Sequence, residues 1–170
     1  MDAAAHYRQL LQLGRDEFLA AAAPAALVRH RRDDPHSRDG SDTVTIDERV
    51  ADETLPHTRQ PDAGELEVEV YPLSKKPGAS FPDRITIGRT SNNDVVIADH
   101  SVSRLHAYVR RVGDVWVVAD AGSKNGSWLR GEALEARRER PIVSRAILRL
   151  GDVDLTFYLA ADLFAALGGT

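Results

Sequence analysis

From Leu66, apolar and polar side chains alternate through LEVEVY, the period of a half-buried strand. Six further apolar runs follow: RITIG, DVVI, LHAYVRR, VWVVAD, AILRL and VDLTFYL. Turn-forming stretches separate them: KKPG, RTSNN, VGD, AGSKNG, RG and GD. Short strands with frequent turns predict an antiparallel β sandwich over about residues 64–160. They argue against a βαβ fold. The N-terminal region has a different rhythm. Tyr7, Leu10 and Leu11 fall on one helical face, and Gly14 interrupts. Asp16 and Glu17 suit the first turn of a second short helix, where negative charge meets the positive end of the dipole. Its apolar side begins at Phe18 and Leu19, and Pro24 ends it. Residues 1–30 therefore read as a short helical extension. Residues 31–63 hold no aromatic side chain and are rich in Asp, Arg, Thr, Pro and Ser. They bury too little apolar area to offset their ordering entropy and read as a flexible linker. Residues 161–170 read as a short C-terminal tail, in which ADLFAALGG predicts one short helix stopping at Gly168.

Composition narrows the function. A formal net charge of -4 over 170 residues creates no basic field for nucleic acid. The absence of cysteine excludes disulfides, cysteine-ligated zinc and a cysteine nucleophile. Six scattered histidines show no metal-ligand spacing, so no metal or other cofactor is expected. No apolar run approaches the ~20 residues that span a bilayer, and the N-terminus lacks a secretory pattern. The expected setting is cytoplasmic, with no membrane partner.

Three polar stretches carry the candidate chemistry. In IGRTSNNDVVI a strand ends at Gly88 and Arg89 opens a polar loop. In SVSRLHA a loop presents Ser103 and Arg104 just ahead of a strand holding His106. In DAGSKNGSWLRG, Gly122, Asn125 and Gly126 make a tight turn around Lys124. Arginine offers five rigid donors that match phosphate oxygens. Serine adds a hydroxyl donor and lysine a mobile point charge. Asparagine both donates and accepts, which suits an extended peptide backbone. On residue type alone, Arg104 and Lys124 serve equally well as exposed loop cations. Ser103 and His106 could be a nucleophile and base, yet no strand-to-helix elbow or oxyanion glycine pattern surrounds them. No Walker-type or kinase-type glycine loop is present. The set suits recognition and not catalysis, so no enzyme is expected.

GR, then SxxH, then GSxNG, in this order and between these strands, resembles the forkhead-associated (FHA) domain. The resemblance covers about residues 64–160. It implies a two-sheet β sandwich of about eleven strands that binds phosphothreonine peptides through loops at one end, without a cofactor. By matching position, Arg89 and Ser103 would contact the phosphate. Arg104 would reach the peptide main chain or the phosphate. Lys124 stands where several members carry a phosphate-binding threonine, and Asn125 would bond the peptide backbone. Gly88, His106 and Gly126 would support the site. Ser127 stands where threonine is commoner, and Leu129, Arg130 and Gly131 replace a usual VNG. The implied function is a phosphothreonine-peptide-binding adaptor in serine/threonine-kinase signalling. The alternative is an interaction scaffold on the same fold that binds partners without phosphate. The linker's Thr43, Thr45, Thr54 and Thr58 are candidate phosphorylation sites. One of them could serve as the chain's own ligand, with an inert spacer as the other reading. Thr43 has Ile46 three residues on, a plausible selectivity contact.

Overall fold

The computed structural model describes residues 2–30, 68–78 and 81–170. The linker read over 31–63, with its four threonines, lies outside the described residues, as do Leu66 and Glu67 of the LEVEVY run.

Eleven strands form two sheets among the described residues. The strands are β1 (Ala25–His30), β2 (Val68–Pro72), β3 (Ile85–Gly88), β4 (Val95–Val96), β5 (Ala107–Val112) and β6 (Val115–Asp120). Then come β7 (Ser127–Leu129), β8 (Glu132–Ala133), β9 (Arg140–Ile142), β10 (Ile147–Leu150) and β11 (Val153–Leu159). One sheet has the order β2-β1-β11-β10-β7-β8, the other β4-β3-β5-β6-β9. Every pairing is antiparallel except β3 with β4, which is parallel. Leu27, Ile87, Val109, Val118, Leu148, Leu155 and Phe157 meet between the sheets. Trp116 joins them, its ring centroid 5.9 Å from that of Phe157.

The helical reading of residues 1–30 needs correction at its end. Helices α1 (Ala3–Leu13) and α2 (Arg15–Ala21) are present. Asp2 caps the first, its side chain accepting from the Ala4 amide at 3.0 Å. Residues 25–30 are not helical. They form β1, inserted between β2 and β11. Ala25 and Leu27 face the inter-sheet core, while Ala26 and Val28 face a second cluster beneath the helices. A strand buried on both faces shows no period-two alternation, so its sequence does not announce it.

The second cluster fixes the helices to the outer face of this sheet. Tyr7, Leu10 and Phe18 from α1 and α2 pack with Leu163 and Phe164 of α3 (Ala160–Ala166). Phe18 lies 5.7 Å from Tyr7 and 5.2 Å from Phe164, centroid to centroid, in tilted and edge-on geometries. Residues 2–30 and the C-terminal helix thus pack onto the sandwich through this second cluster.

Candidate functional site

Three loops converge at one end of the sandwich. The β3–β4 loop begins at Arg89, the β4–β5 loop carries Ser101 to Leu105, and the β6–β7 loop carries Ala121 to Gly126. Backbone bonds tie the first two. The Arg89 amide donates to the Ser103 carbonyl at 3.0 Å, and the Ile97 amide to the Gly88 carbonyl at 2.9 Å. Gly88 is required by proximity and not by backbone angle. A Cβ there would stand 2.1 Å from the Arg104 carbonyl oxygen and 2.6 Å from Asn93 Nδ2.

Buried polar side chains shape each loop. Asn93 is 2% exposed, and its Nδ2 donates to the Thr90 carbonyl at 2.9 Å and to the Arg104 carbonyl at 2.5 Å. Asp94 accepts from the Thr86 and Lys76 amides at 2.9 and 2.8 Å and from Lys75 Nζ at 2.7 Å. Burial pushes its carboxyl pKa up, but Lys75 and these amides outweigh it, and the net shift is downward. Asp120 plays the same part under the third loop. Its two oxygens accept from the Gly122 and Ser123 amides and from the Ser123 and Ser127 hydroxyls, at 2.5 to 2.9 Å. Its pKa also falls: burial raises it, and the hydroxyl and amide donors overcome that. Gly126 closes the turn at φ 86°, the left-handed region that glycine enters without strain.

His106 links the second loop to the third. It is 0% exposed. Its Nδ1 accepts from the Ser103 amide at 2.9 Å, and its Nε2 lies 2.9 Å from the Gly126 carbonyl. A carbonyl only accepts, so Nε2 carries the proton and the ring is the neutral tautomer. Burial holds its pKa below 6.5, against opposing contributions from the Gly126 carbonyl and Asp120. Ser103 and His106 do not form a nucleophile–base pair. The histidine is engaged by the serine's backbone and not by its hydroxyl.

That hydroxyl is occupied as an acceptor. The Lys124 amide donates to Ser103 Oγ at 3.0 Å. The hydroxyl proton remains available for an outside acceptor. Arg89 Nε donates to the Val102 carbonyl at 3.0 Å, which fixes the guanidinium plane and leaves its terminal nitrogens without a partner among the described residues. Asn125 is exposed, and its Nδ2 donates to the Ser101 carbonyl at 2.8 Å, leaving its amide oxygen without a partner among the described residues. Arg104 and Lys124 are exposed and meet no carboxylate among the described residues. Elsewhere on the sandwich Arg29, Arg84, Arg110, Arg140 and Arg145 each do. The structure therefore gathers Arg89, Ser103, Arg104, Lys124 and Asn125 on one exposed end, with Gly88, His106 and Gly126 beneath them.

Ser101 is a support that sequence reasoning missed. Its amide and hydroxyl both donate to Asp99 Oδ1, at 2.9 and 2.7 Å, and its hydroxyl accepts from the Asp152 amide of the β10–β11 turn. Asp99 also meets Arg29 of β1 at 3.3 Å. The only sequence signal was the D-x-S spacing of a local side-chain turn.

Residues 85–151 match the FHA domain family. Residues 85–151 thus carry an FHA domain. A stretch of 45 residues is 44% identical to an oxoglutarate dehydrogenase inhibitor of Corynebacterium jeikeium, covering 26% of this chain and 31% of that protein. The chain thus matches about a third of the length of this curated relative. Among solved structures, Mycobacterium tuberculosis EmbR in complex with a low-affinity phosphopeptide is 29% identical, over 46% of this chain and 20% of that one, with a TM-score of 0.43. The FHA domain of Chlamydia trachomatis CT664 is 26% identical, over 44% and 75% of the two chains, with a TM-score of 0.41. No described helix is long and apolar enough to cross a membrane.

Proposed function

We propose that this FHA domain is a non-enzymatic adaptor that binds phosphothreonine-containing peptides in serine/threonine-kinase signalling, in the cytoplasm. The observation that carries the reading is the state of Ser103. Its oxygen already accepts from the Lys124 amide, and its proton has no acceptor among the described residues. Beside it the Arg89 guanidinium is held at Nε with its terminal nitrogens unengaged among the described residues. Phosphothreonine carries about -1.5 to -2 charges and three strong acceptor oxygens. It suits a hydroxyl donor, an arginine fork and the nearby Arg104 and Lys124. The Asn125 amide oxygen, without a partner among the described residues, suits a peptide N–H.

The test is a titration of matched phosphothreonine, phosphoserine and unphosphorylated peptide libraries. Tight binding confined to phosphothreonine peptides supports the reading. Equal binding of phosphorylated and unphosphorylated peptides would favour the phosphate-independent scaffold instead.

The ligand can also be supplied by the chain itself. His30 of β1 pairs with Val68 of β2, so the two described ends that flank residues 31–67 are adjacent. Arg29 there meets Asp99, close to Ser101, whose carbonyl holds Asn125. A phosphorylated Thr43, Thr45, Thr54 or Thr58 would act at an effective concentration of about millimolar. After confirmed phosphorylation by a serine/threonine kinase, the Arg89 and Ser103 loop resonances should shift. Unchanged resonances would exclude a ligand from this segment.

A further inference from the structure

The outer face of the six-stranded sheet is covered on one half only. Ala26, Val28, Val70 and Tyr158, on β1, β2 and β11, pack with the helices, and that cluster takes nothing from β10, β7 or β8. On these three strands the inter-sheet core holds Leu129, Leu148 and Leu150, so alternation turns Trp128, Ile147 and Arg149 outward. Ile147 and the nearby Val143 are 55% and 57% exposed. Two hollows of about 470 and 410 Å³ lie over this half and share Gly131 and Ile147. Contiguous apolar surface of this kind marks an interaction site.

Charge on the face is balanced. Arg145 meets Asp162 at 3.3 Å, and Arg149 meets Asp152 at 3.6 Å. The Arg149 guanidinium also lies 5.4 Å from the Trp128 ring centroid, and its Nε donates to the Gly151 carbonyl at 2.9 Å. Two charges are left over, one of each sign. Arg130 and Asp154 are exposed and have no charged partner among the described residues. Arg130 sits at φ 51°, beside Gly131 at φ 82°, in the two-residue turn between β7 and β8. Asparagine or glycine enters such a turn without strain, and arginine does not.

β10 runs between the two free charges. The Arg130 amide donates to the Ile147 carbonyl at 2.9 Å, which places Arg130 on the β7 side. Asp154 pairs with Arg149 from the β11 side. Neighbouring strands lie about 4.8 Å apart, so roughly 10 Å of sheet separates the charges.

We propose that this half-face is the interface of a homodimer, in which Arg130 of each copy meets Asp154 of the other around an apolar centre of Ile147, Val143 and Trp128. A two-fold axis lying in the interface and crossing β10 between Ile147 and Arg149 brings each free charge to its opposite. It also keeps Ile147 and Trp128 beside the axis. An isologous contact needs this self-complementary pattern. A strongly acidic or basic partner would leave part of a charge-balanced face opposed to like charge. Pairing leaves the loop end of the sandwich open. Gly126 precedes β7 and Gly151 follows β10, and their backbones bond at 3.0 Å at the ends of these strands remote from Arg130 and Ile147. The inference does not depend on what those loops bind.

The test is sedimentation equilibrium of the full chain from about 1 μM to 1 mM, a range that spans weak to firm association. Four variants accompany it: Ile147→Asp, Arg130→Asp, Asp154→Arg and the double reversal that joins the last two. Wild type should dimerise within the range, and Ile147→Asp should abolish the dimer. Each single reversal should weaken it by about tenfold, since it sets like charges together twice. The double reversal should return to within about threefold of wild type, as coupled sites do. Aspartate tolerates the left-handed backbone. On dilute monomer, Arg130→Asp should therefore melt no lower than wild type, which separates lost association from lost folding. A wild type that stays monomeric to 1 mM, a dimer that survives Ile147→Asp, or a double reversal no tighter than the single ones overturns the proposal.

Discussion

The backbone amide of Lys124 donates to the side-chain oxygen of Ser103 at 3.0 Å, joining two loops that are 21 residues apart. The bond is a loop tie and leaves the hydroxyl free to donate. Ser103→Ala removes both roles at an exposed edge of the fold. Phosphopeptide affinity should fall about tenfold, because a bond from a neutral donor to a charged acceptor contributes roughly 1.5–3 kcal/mol. The thermal midpoint should move little. Calorimetric titration and a melting curve check both halves.

Arg89 is held at Nε by the Val102 carbonyl, so its recognition depends on a planar fork and not on charge alone. Arg89→Ala should lose about tenfold or more in phosphopeptide affinity. Arg89→Lys should recover only a small part, since an ammonium cannot bond Val102 and present two further coplanar donors. Full rescue by lysine in the same titration would show that charge suffices.

Gly88→Ala tests the close approach of β3 to the second loop. The added methyl would stand 2.1 Å from the Arg104 carbonyl, which is backbone and cannot swing away. Destabilisation by about 1–3 kcal/mol is expected, as for other overpacked sites. Urea unfolding measures it, and loss of phosphopeptide affinity should accompany it because Arg104 must shift.

His106 makes stability depend on pH. Burial lowers its folded pKa below 6.5, so the unfolded chain binds the proton more readily. The stabilisation is complete well above pH 6.5. It declines as pH falls through 6.5 toward the folded pKa. The lowered carboxyls of Asp94, Asp99 and Asp120 act in the other window, below their ordinary 3.8. Urea unfolding between pH 5 and 8 should show the decline. His106→Gln should flatten it, while lowering stability throughout by breaking the links to Ser103 or Gly126.

Deleting residues 1–30 should prevent folding. The deletion removes β1, which pairs with β2 on one side and β11 on the other. It also strips Tyr7, Leu10 and Phe18 from the core beneath the helices. Circular dichroism of the shortened chain checks this. A cooperative melt at the parent temperature would show the segment to be dispensable.

What could be read in advance follows from the range of each interaction. β11 announced itself because its buried and exposed positions alternate, and β6 because VWVVAD is a short apolar run bounded by turn residues. β8 and β9 did not, because two or three residues are too short for a period. β1 did not, because both of its faces are covered and its partner strand β2 lies 38 residues on. At the site, Arg89, Ser103, Lys124 and Asn125 were legible as motif residues with the right donors. The sequence by itself determined those donor types, the turn chemistry around them and the alternating strands, all local properties. Tertiary structure decided which polar groups stay available. It buried Asn93, Asp94, Ser101, His106 and Asp120 as bonded supports and left Arg89, Arg104 and Lys124 unpaired by carboxylates among the described residues. That division depends on which chains of backbone meet in space, because a buried polar group must find its partners there.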